Sequence, residues 1–140
     1  MRKRNGRTAL VALLAVFAVL AVAVIVVWAW RGSATEPDVD AGRAAADRFL
    51  EQIRAGQPDQ AWQSTTAEFK SAEGRESFSR YVKKHPFLTK PVNFVSVQMV
   101  TAQSQPRAEY LYRAGKEGST IRLLAGLDND TWRIDRITIE

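Results

Sequence analysis

The sequence predicts an α+β domain that follows an N-terminal transmembrane helix. An uncharged apolar segment lies near the N-terminus, and apolar residues then recur with a helical period between residues 40 and 85. After Pro91 the apolar residues alternate with a period of two. These observations predict three helices packed on a curved, four-stranded antiparallel sheet, which together make a cone-like domain.

Residues 8–30 predict the membrane anchor. They contain no charged residue, no glycine and no proline, and about 20 apolar residues are enough to span a bilayer as a helix. Four basic residues lie within residues 1–7, which the positive-inside tendency places in the cytoplasm. We therefore expect a single-pass protein of the cell membrane, with a linker over 31–39 and an extracytoplasmic domain over 40–140. The alternative is a cleaved signal peptide, although its apolar region is usually only about 7–15 residues long.

Charge and cysteine content narrow the functional class. Four of the 20 Lys and Arg residues lie in the first seven positions, which leaves 16 against 15 acidic residues in the rest of the chain. A nucleic-acid-binding protein carries its basic excess on the folded domain, so we expect no nucleic-acid partner. The chain has no cysteine, which excludes disulfides, thiolate metal sites and cysteine nucleophiles.

The predicted helices follow from periodicity and from their end signals. The first, over about 40–55, begins beside Asp38 and Asp40, since acidic residues suit a helix N-terminus. It has one apolar stripe and is ended by Gly56. The second begins at Pro58, which suits a first helical turn, and carries Trp62. Its helical pattern fades over residues 64–66. The third covers about 73–85 and ends before Pro86, since the residue preceding a proline is disfavoured in a helix.

Four segments predict the strands, and they read "NFVSVQMV", "RAEYLYRA", "STIRLLAGL" and "TWRIDRITIE". Val95, Val97 and Met99 alternate in the first, as Tyr110 and Tyr112 do in the second. The alternation slips near residues 135–136, which predicts a β-bulge. The connections are short, so we expect an antiparallel meander; they read "TAQSQP", "GKEG" and "DND".

Three segments resemble a known superfamily. The stretch "AADRFLEQIRAGQPDQAWQSTTAEF" is similar to the opening of small bacterial domains of the nuclear-transport-factor-two-like (cystatin-like cone) superfamily. The segments "FSRYVKKHPFL" and "WRIDRITIE" fit its later helix and last strand. The anchor and linker resemble membrane-anchored members of unassigned function and anchored assembly factors. The resemblance covers about 41–140 and implies a cone-shaped domain. Its enzymes, such as ketosteroid isomerases and polyketide cyclases, keep acidic or histidine groups inside the cone.

Five aromatic residues are the candidate ligand-binding residues. An apolar pocket with a few polar groups is the usual form of a small-molecule site, and aromatic residues with hydroxyl or indole groups suit its lining. The alternative is that these side chains pack the core of a small domain. The five residues are Trp62, Tyr81, Tyr110, Tyr112 and Trp132.

For the other polar residues, the sequence context favours structural roles. His85 is the single histidine and lies at a predicted helix end. Glu109 and Asp135 lie in predicted strands, where we expect them to face solvent or to be ion-paired. The sequence from Asp128 to Asp130 is typical of a hairpin turn, with too few oxygen ligands for Ca²⁺. We expect the basic residues around the third helix to form a solvated face; they are Arg75, Arg80, Lys83, Lys84 and Lys90.

The sequence therefore predicts no catalytic residue, metal site or cofactor. The predicted function is a non-enzymatic interaction or assembly module that is anchored in the membrane and binds a protein partner of an envelope complex. The alternative is a module that binds a small apolar ligand inside the cone. An isomerase- or cyclase-like enzyme is the third class.

Overall fold

The computed structural model describes residues 37–115 and 118–140, which form an α+β fold. The predicted basic tip at 1–7, the predicted transmembrane segment at 8–30 and the linker residues 31–36 lie outside the described residues. Among the residues that are described, no helix combines the length and hydropathy that a membrane span requires.

Four α-helices and one 3-10 turn precede the strands in the described part of the chain. They are α1 (Val39–Arg54), α2 (Pro58–Gln63), α3 (Ala67–Ala72), α4 (Arg75–Lys84) and the 3-10 turn (Pro86–Thr89). The prediction of three helices is corrected to four, because α3 was missed. The Thr66 hydroxyl accepts a hydrogen bond of 3.1 Å from the Phe69 backbone N–H. This cap starts a new helix where the sequence pattern had faded.

The end signals that the sequence predicted for α1 are confirmed. The Asp38 carboxylate accepts hydrogen bonds from the backbone N–H groups of Asp40 and Ala41 at 3.0 and 3.1 Å, which caps the helix N-terminus. Gly56 has a φ of +73° just beyond the C-terminus, a conformation that glycine adopts without steric cost. The predicted apolar stripe is buried, and it comprises Ala46, Phe49, Leu50 and Ile53.

The sheet is the predicted antiparallel meander, in the order β1-β2-β3-β4. Its strands are β1 (Val92–Ala102), β2 (Gln105–Ala114), β3 (Thr120–Asp128) and β4 (Thr131–Ile139). The β1–β2 turn is only two residues long, Gln103 and Ser104, and both have positive φ. This backbone is typical of a type I′ turn, whose twist matches that of paired strands. The strands therefore extend further into "TAQSQP" than predicted.

The predicted β-bulge in the last strand is confirmed. Leu124 pairs with Arg136 and Ala125 pairs with Ile134, so Asp135 is the extra residue between two regular stretches of β4. Its insertion turns the C-terminal half of β4 over. Ile137 and Ile139 therefore pair with the core residues Leu123 and Ile121.

Helix α1 approaches the sheet closely at Gly42. A Cβ atom built on this glycine would lie 2.2 Å from the Tyr110 hydroxyl oxygen and 3.1 Å from two ring atoms of Trp132. The same hydroxyl donates a hydrogen bond of 2.6 Å to the Val39 carbonyl in the first turn of α1. The missing side chain thus lets the helix backbone sit on a buried tyrosine.

We expect Gly42→Ala to destabilise the domain by about 1–3 kcal/mol, because the added methyl group overpacks the contact with Tyr110. An alanine usually stabilises a helix interior by about 1 kcal/mol relative to glycine, so the sign of the effect is diagnostic. Urea unfolding measured by circular dichroism gives the change in free energy.

The exposed Ala44, two residues further along α1, provides the matched control. Ala44→Gly should lower stability through helix propensity alone, by about 1 kcal/mol. A Gly42→Ala variant that is more stable than the parent would contradict the close packing of α1 on Tyr110.

Candidate interaction surface

The inner face of strand β1 carries apolar side chains that the domain leaves exposed. Val97 pairs with Tyr110 and Met99 pairs with Ala108, and directly paired residues of an antiparallel sheet lie on the same face. Val97 and Met99 therefore belong to the face that carries the core. Nevertheless, 38% of Val97 and 44% of Met99 remain exposed.

The position of α1 explains this exposure. The helix packs over β2, β3 and β4, and it contacts β1 near the start of that strand, where the Arg43 guanidinium lies 3.8 Å from the centroid of the Phe94 ring. An α-helix is about 10 Å wide, whereas the outer strands of a four-stranded sheet lie about 14 Å apart. One helix therefore leaves part of an edge strand uncovered.

The outer edge of β1 is also open for backbone pairing. Strand β1 lies at the end of the sheet and pairs with β2. Within residues 37–115 and 118–140, no other element forms a backbone hydrogen bond with residues 92–102. The other edge strand, β4, differs because its Ile134 carbonyl accepts a hydrogen bond of 2.9 Å from the Thr66 N–H.

Strand β1 carries little of the usual protection against pairing. Edge strands are commonly blunted by charged residues, by proline or by a bulge, but residues 92–102 contain no charge and no proline. A register shift between Phe94 and Ser96 leaves Val95 without a cross-strand partner. From Ser96 to Ala102 the pairing with β2 is regular. The free surface of this stretch, together with the exposed side chains of Val95, Val97 and Met99, is here called the β1 edge.

Two of the five predicted aromatic residues lie in the core. Tyr110 and Tyr112 are almost fully buried. The Tyr112 hydroxyl donates a hydrogen bond of 2.6 Å to the Asp47 carboxylate. Burial first, and then the nearby Asp38 and Asp40, raise the pKa of Tyr110 to about 12. Burial and the hydrogen bond to Asp47 also raise the pKa of Tyr112. Both hydroxyls therefore stay protonated and tie the sheet to α1.

The other three aromatic residues lie around the rim of the core and are partly buried. The Trp62 indole N–H donates a hydrogen bond of 2.7 Å to the Glu73 carbonyl, which connects α2 to the segment before α4. The Tyr81 ring lies 4.5 Å from the His85 ring, centroid to centroid. Trp132 packs beside Gly42.

The structure does not bring the five predicted residues into one pocket. Tyr81 lines a cavity of about 220 Å³, Tyr112 lines another of about 190 Å³, and Trp132 lines a third of about 150 Å³. Trp62 and Tyr110 line none of these three. The assignment of the five residues to ligand binding stays a prediction.

The 220 Å³ cavity combines apolar and charged side chains. Phe69, Phe78, Tyr81 and Ile137 form its apolar part, and Glu68, Glu73, Asp135 and Arg136 are among its polar residues. Burial first, and then the neighbouring Glu73, raise the pKa of Tyr81. The Tyr81 hydroxyl is therefore a neutral donor or acceptor at the side of this cavity.

A buried ion pair borders the same cavity. The Arg107 guanidinium lies 2.9 Å from the Asp135 carboxylate, and both side chains are only 9% exposed. Arg107 crosses β3 at Gly126, where a Cβ atom would lie 2.7 Å from its Nε. The Thr66 hydroxyl donates a hydrogen bond of 2.7 Å to the second oxygen of Asp135. These contacts tie β2, β4 and the start of α3 together.

The pKa of Asp135 reflects two opposed effects. Burial raises this pKa. The hydrogen bonds from Thr66 and Arg107, together with the positive charge of Arg107, lower it by a larger amount. The net pKa lies below the ordinary value. Because a general base works best with a pKa near the working pH, this carboxylate suits a structural role.

The remaining polar candidates occupy structural positions. His85 lies at the C-terminal cap of α4, and its Nδ1 lies 2.8 Å from the Tyr81 carbonyl oxygen. Glu109 accepts a hydrogen bond of 2.6 Å from Gln98 and pairs with Arg122. The predicted hairpin turn at 128–130 is confirmed, since Asn129 and Asp130 connect β3 to β4 with positive φ. The described residues contain no group of three or more potential metal ligands.

The five basic residues predicted as a solvated face are all exposed, and they are Arg75, Arg80, Lys83, Lys84 and Lys90.

Sequence reasoning missed the exposure of β1 and the partners of Asp135. The absence of charge in residues 92–102 was the available signal for the first. Nothing local paired Arg107 with Asp135, since they are 28 positions apart.

Comparison with known proteins adds no family assignment: no protein-family model matches the chain, and no curated protein is significantly similar to it. The resemblance to the nuclear-transport-factor-two-like superfamily therefore stays a prediction.

We expect Asp135→Asn to destabilise the domain by about 2 kcal/mol at neutral pH, because the buried Arg107 loses its closer carboxylate partner. Among the described residues, only the half-exposed Glu68, 3.5 Å away, then remains as a counter-charge. The parent should also lose stability as the pH falls below about 4. A carboxylate with a lowered native pKa stabilises the fold above its unfolded pKa, and this contribution disappears as the pH falls through the native pKa. The variant lacks that part of the acid dependence. Urea unfolding between pH 7 and pH 2 measures both effects.

Asp59→Asn serves as the control, because Asp59 is an exposed acid in the first turn of α2. It should cost less than about 1 kcal/mol, the usual size of such a dipole interaction. Equal losses in the two variants would argue against a special role for the buried pair.

Proposed function

We propose that this chain is a non-enzymatic interaction module whose β1 edge accepts an extended strand from a protein partner. In this proposal the segment 8–30 anchors the chain in the cell membrane, and the domain over 40–140 lies outside the cytoplasm. The α+β domain, which the resemblance implies to be cone-shaped, then presents the β1 edge to the partner.

The observation that carries the proposal is the combination of an open edge with uncovered apolar side chains. Strand addition obtains affinity from main-chain hydrogen bonds and specificity from alternate side chains. The β1 edge offers both, since its outer backbone groups lack partners in the described residues and Val97 and Met99 are exposed. Full burial of one such side chain contributes about 1.5–3 kcal/mol, so covering the remaining exposed fraction favours binding.

The partner segment is best described as an uncharged strand with alternating apolar residues. Residues 92–102 carry no charge, so a charged side chain placed directly opposite Val97 or Met99 would lose hydration without gaining a counter-ion. Gln98 lies on the opposite face, where its side-chain amide donates a hydrogen bond to the Glu109 carboxylate.

The cavity beside Tyr81 supports the alternative function, the binding of a small ligand. Its apolar part and its neutral tyrosine hydroxyl suit a small molecule with one polar group. Its volume of about 220 Å³ is below the roughly 300–1,000 Å³ of typical ligand pockets. This difference in size favours the β1 edge as the functional surface.

The partner-binding role is tested by a photo-crosslinking amino acid at Val95 in the full chain in its native membrane. We expect one discrete protein adduct, because Val95 is 46% exposed beside the open edge. Met99→Lys should abolish the adduct, since a lysine on an edge strand opposes pairing. Gel electrophoresis and mass spectrometry identify the products.

The exposed Thr138 of β4 provides the matched control. A probe at Thr138 should give no adduct, and Thr138→Lys should leave the Val95 adduct intact. If the Val95 probe yields only lipid adducts, or if Met99→Lys leaves the protein adduct unchanged, the β1 edge is not the binding surface.

The proposed topology has a direct test, because the chain contains no cysteine that would interfere with labelling. Thr138→Cys should react with a membrane-impermeant maleimide in intact spheroplasts, since the positive-inside tendency places this domain outside. Asn5→Cys, within the basic segment 1–7, should react only after the spheroplasts are lysed. The reverse pattern would show the opposite orientation.

A further inference from the structure

We infer that the strand accepted by the β1 edge is β1 of a second copy of this chain. The inference rests on the proposed function and specifies its partner. The two strands run antiparallel about a two-fold axis at Met99, so that the two four-stranded sheets become one continuous sheet. Such an interface is isologous, meaning that the same surface patch contributes from both subunits.

Charge complementarity favours a second copy as the occupant. An uncharged strand is what the β1 edge requires, and β1 itself contains no Asp, Glu, Lys or Arg over its 11 residues. Two copies therefore pair without opposing like charges and without burying an unpaired ion.

The bulge in β1 sets the register of the pair. Regular pairing with β2 begins at Ser96 and continues to Ala102, and Met99 is the middle residue of this stretch. An antiparallel pair centred at Met99 uses the whole regular stretch. A centre at Gln98 would place the bulged Val95 opposite Thr101 of the partner subunit and would disrupt the ladder.

This register gives compatible neighbours on both faces of the joined sheet. On the inner face, Met99 lies beside Met99 of the partner subunit, and Val97 lies opposite Thr101 of the partner subunit. On the outer face, Gln98 lies opposite Val100 of the partner subunit. The exposed apolar residues of both copies thus cover each other, as cross-strand pairs do within a sheet.

The contact between the two strands is small, so we expect the pair to form when both copies are held in one membrane. Stable interfaces usually bury about 1,200–2,000 Å², whereas seven paired residues form a contact only about 23 Å long. Confinement of two anchored copies to one bilayer raises their effective concentration. The pairing is therefore expected for the full chain in its membrane.

The absence of native cysteine allows a position-specific test by disulfide formation in membranes. Met99→Cys should form a disulfide-linked dimer under mild oxidation, at least about tenfold more than Val97→Cys, since a disulfide requires Cα atoms about 4.4–6.8 Å apart. In the inferred register, Val97 meets Val97 of the partner subunit only across four residue steps, about 13 Å. Mixing Val97→Cys chains with Thr101→Cys chains should restore the crosslink.

Two further variants complete the experiment. Thr138→Cys, on β4, should stay monomeric, which excludes random collision of anchored chains. Adding Thr101→Lys to Met99→Cys should remove most of the dimer, whereas adding Thr138→Lys should not. Met99 is 44% exposed and Thr138 and Thr101 are also exposed, so these substitutions leave the core unchanged.

Each outcome separates the inference from the proposed function. A Met99→Cys dimer that Thr101→Lys removes supports both. If Met99→Cys stays monomeric while the Val95 probe still captures a different protein, the second copy is overturned and the interaction module stands. If neither reagent yields a protein adduct, both fall. Equal crosslinking at positions 97, 99 and 138 also overturns the two-fold pair.

Discussion

The contact between helix α1 and the sheet is the constraint on which the other features of the domain depend. Gly42 lets the helix backbone approach Tyr110, whose hydroxyl bonds to the first turn of the same helix. Close packing of this kind is specific, because interiors are as dense as organic crystals. It fixes the helix over β2, β3 and β4. The uncovered part of β1 follows from that position and from the width of one helix.

The two edges of the sheet illustrate how one fold treats similar elements differently. At β4, the segment before α3 bonds to Ile134 and to the bulged Asp135, and Arg107 reaches the same carboxylate from β2. This buried polar cluster holds the helices against β4. No described element performs that role at β1, where the surface is uncharged and apolar. An open edge of this kind carries a risk of aggregation, which a partner strand would remove.

Much of the architecture was predictable because it depends on local physical chemistry. The helical period, the caps at Asp38 and Gly56, the stop at Pro86 and the alternation of the strands each depend on residues that are close in sequence. Even the bulge at Asp135 was visible as a slip in alternation. Helix α3 was missed because its main signal is one threonine cap, and six residues are too few to show a clear period.

The sequence by itself determined the α+β class, the order of the elements apart from α3, the antiparallel meander and the neutral character of β1. The tertiary structure decided which apolar residues become core and which become surface. Val97 and Leu123 have similar patterns in their strands, yet Val97 is 38% exposed and Leu123 is fully buried. The physical reason is that burial depends on which strand the helix covers, and that depends on contacts between residues far apart in the chain. The dispersal of the five aromatic residues and the pairing of Arg107 with Asp135 were decided in the same way.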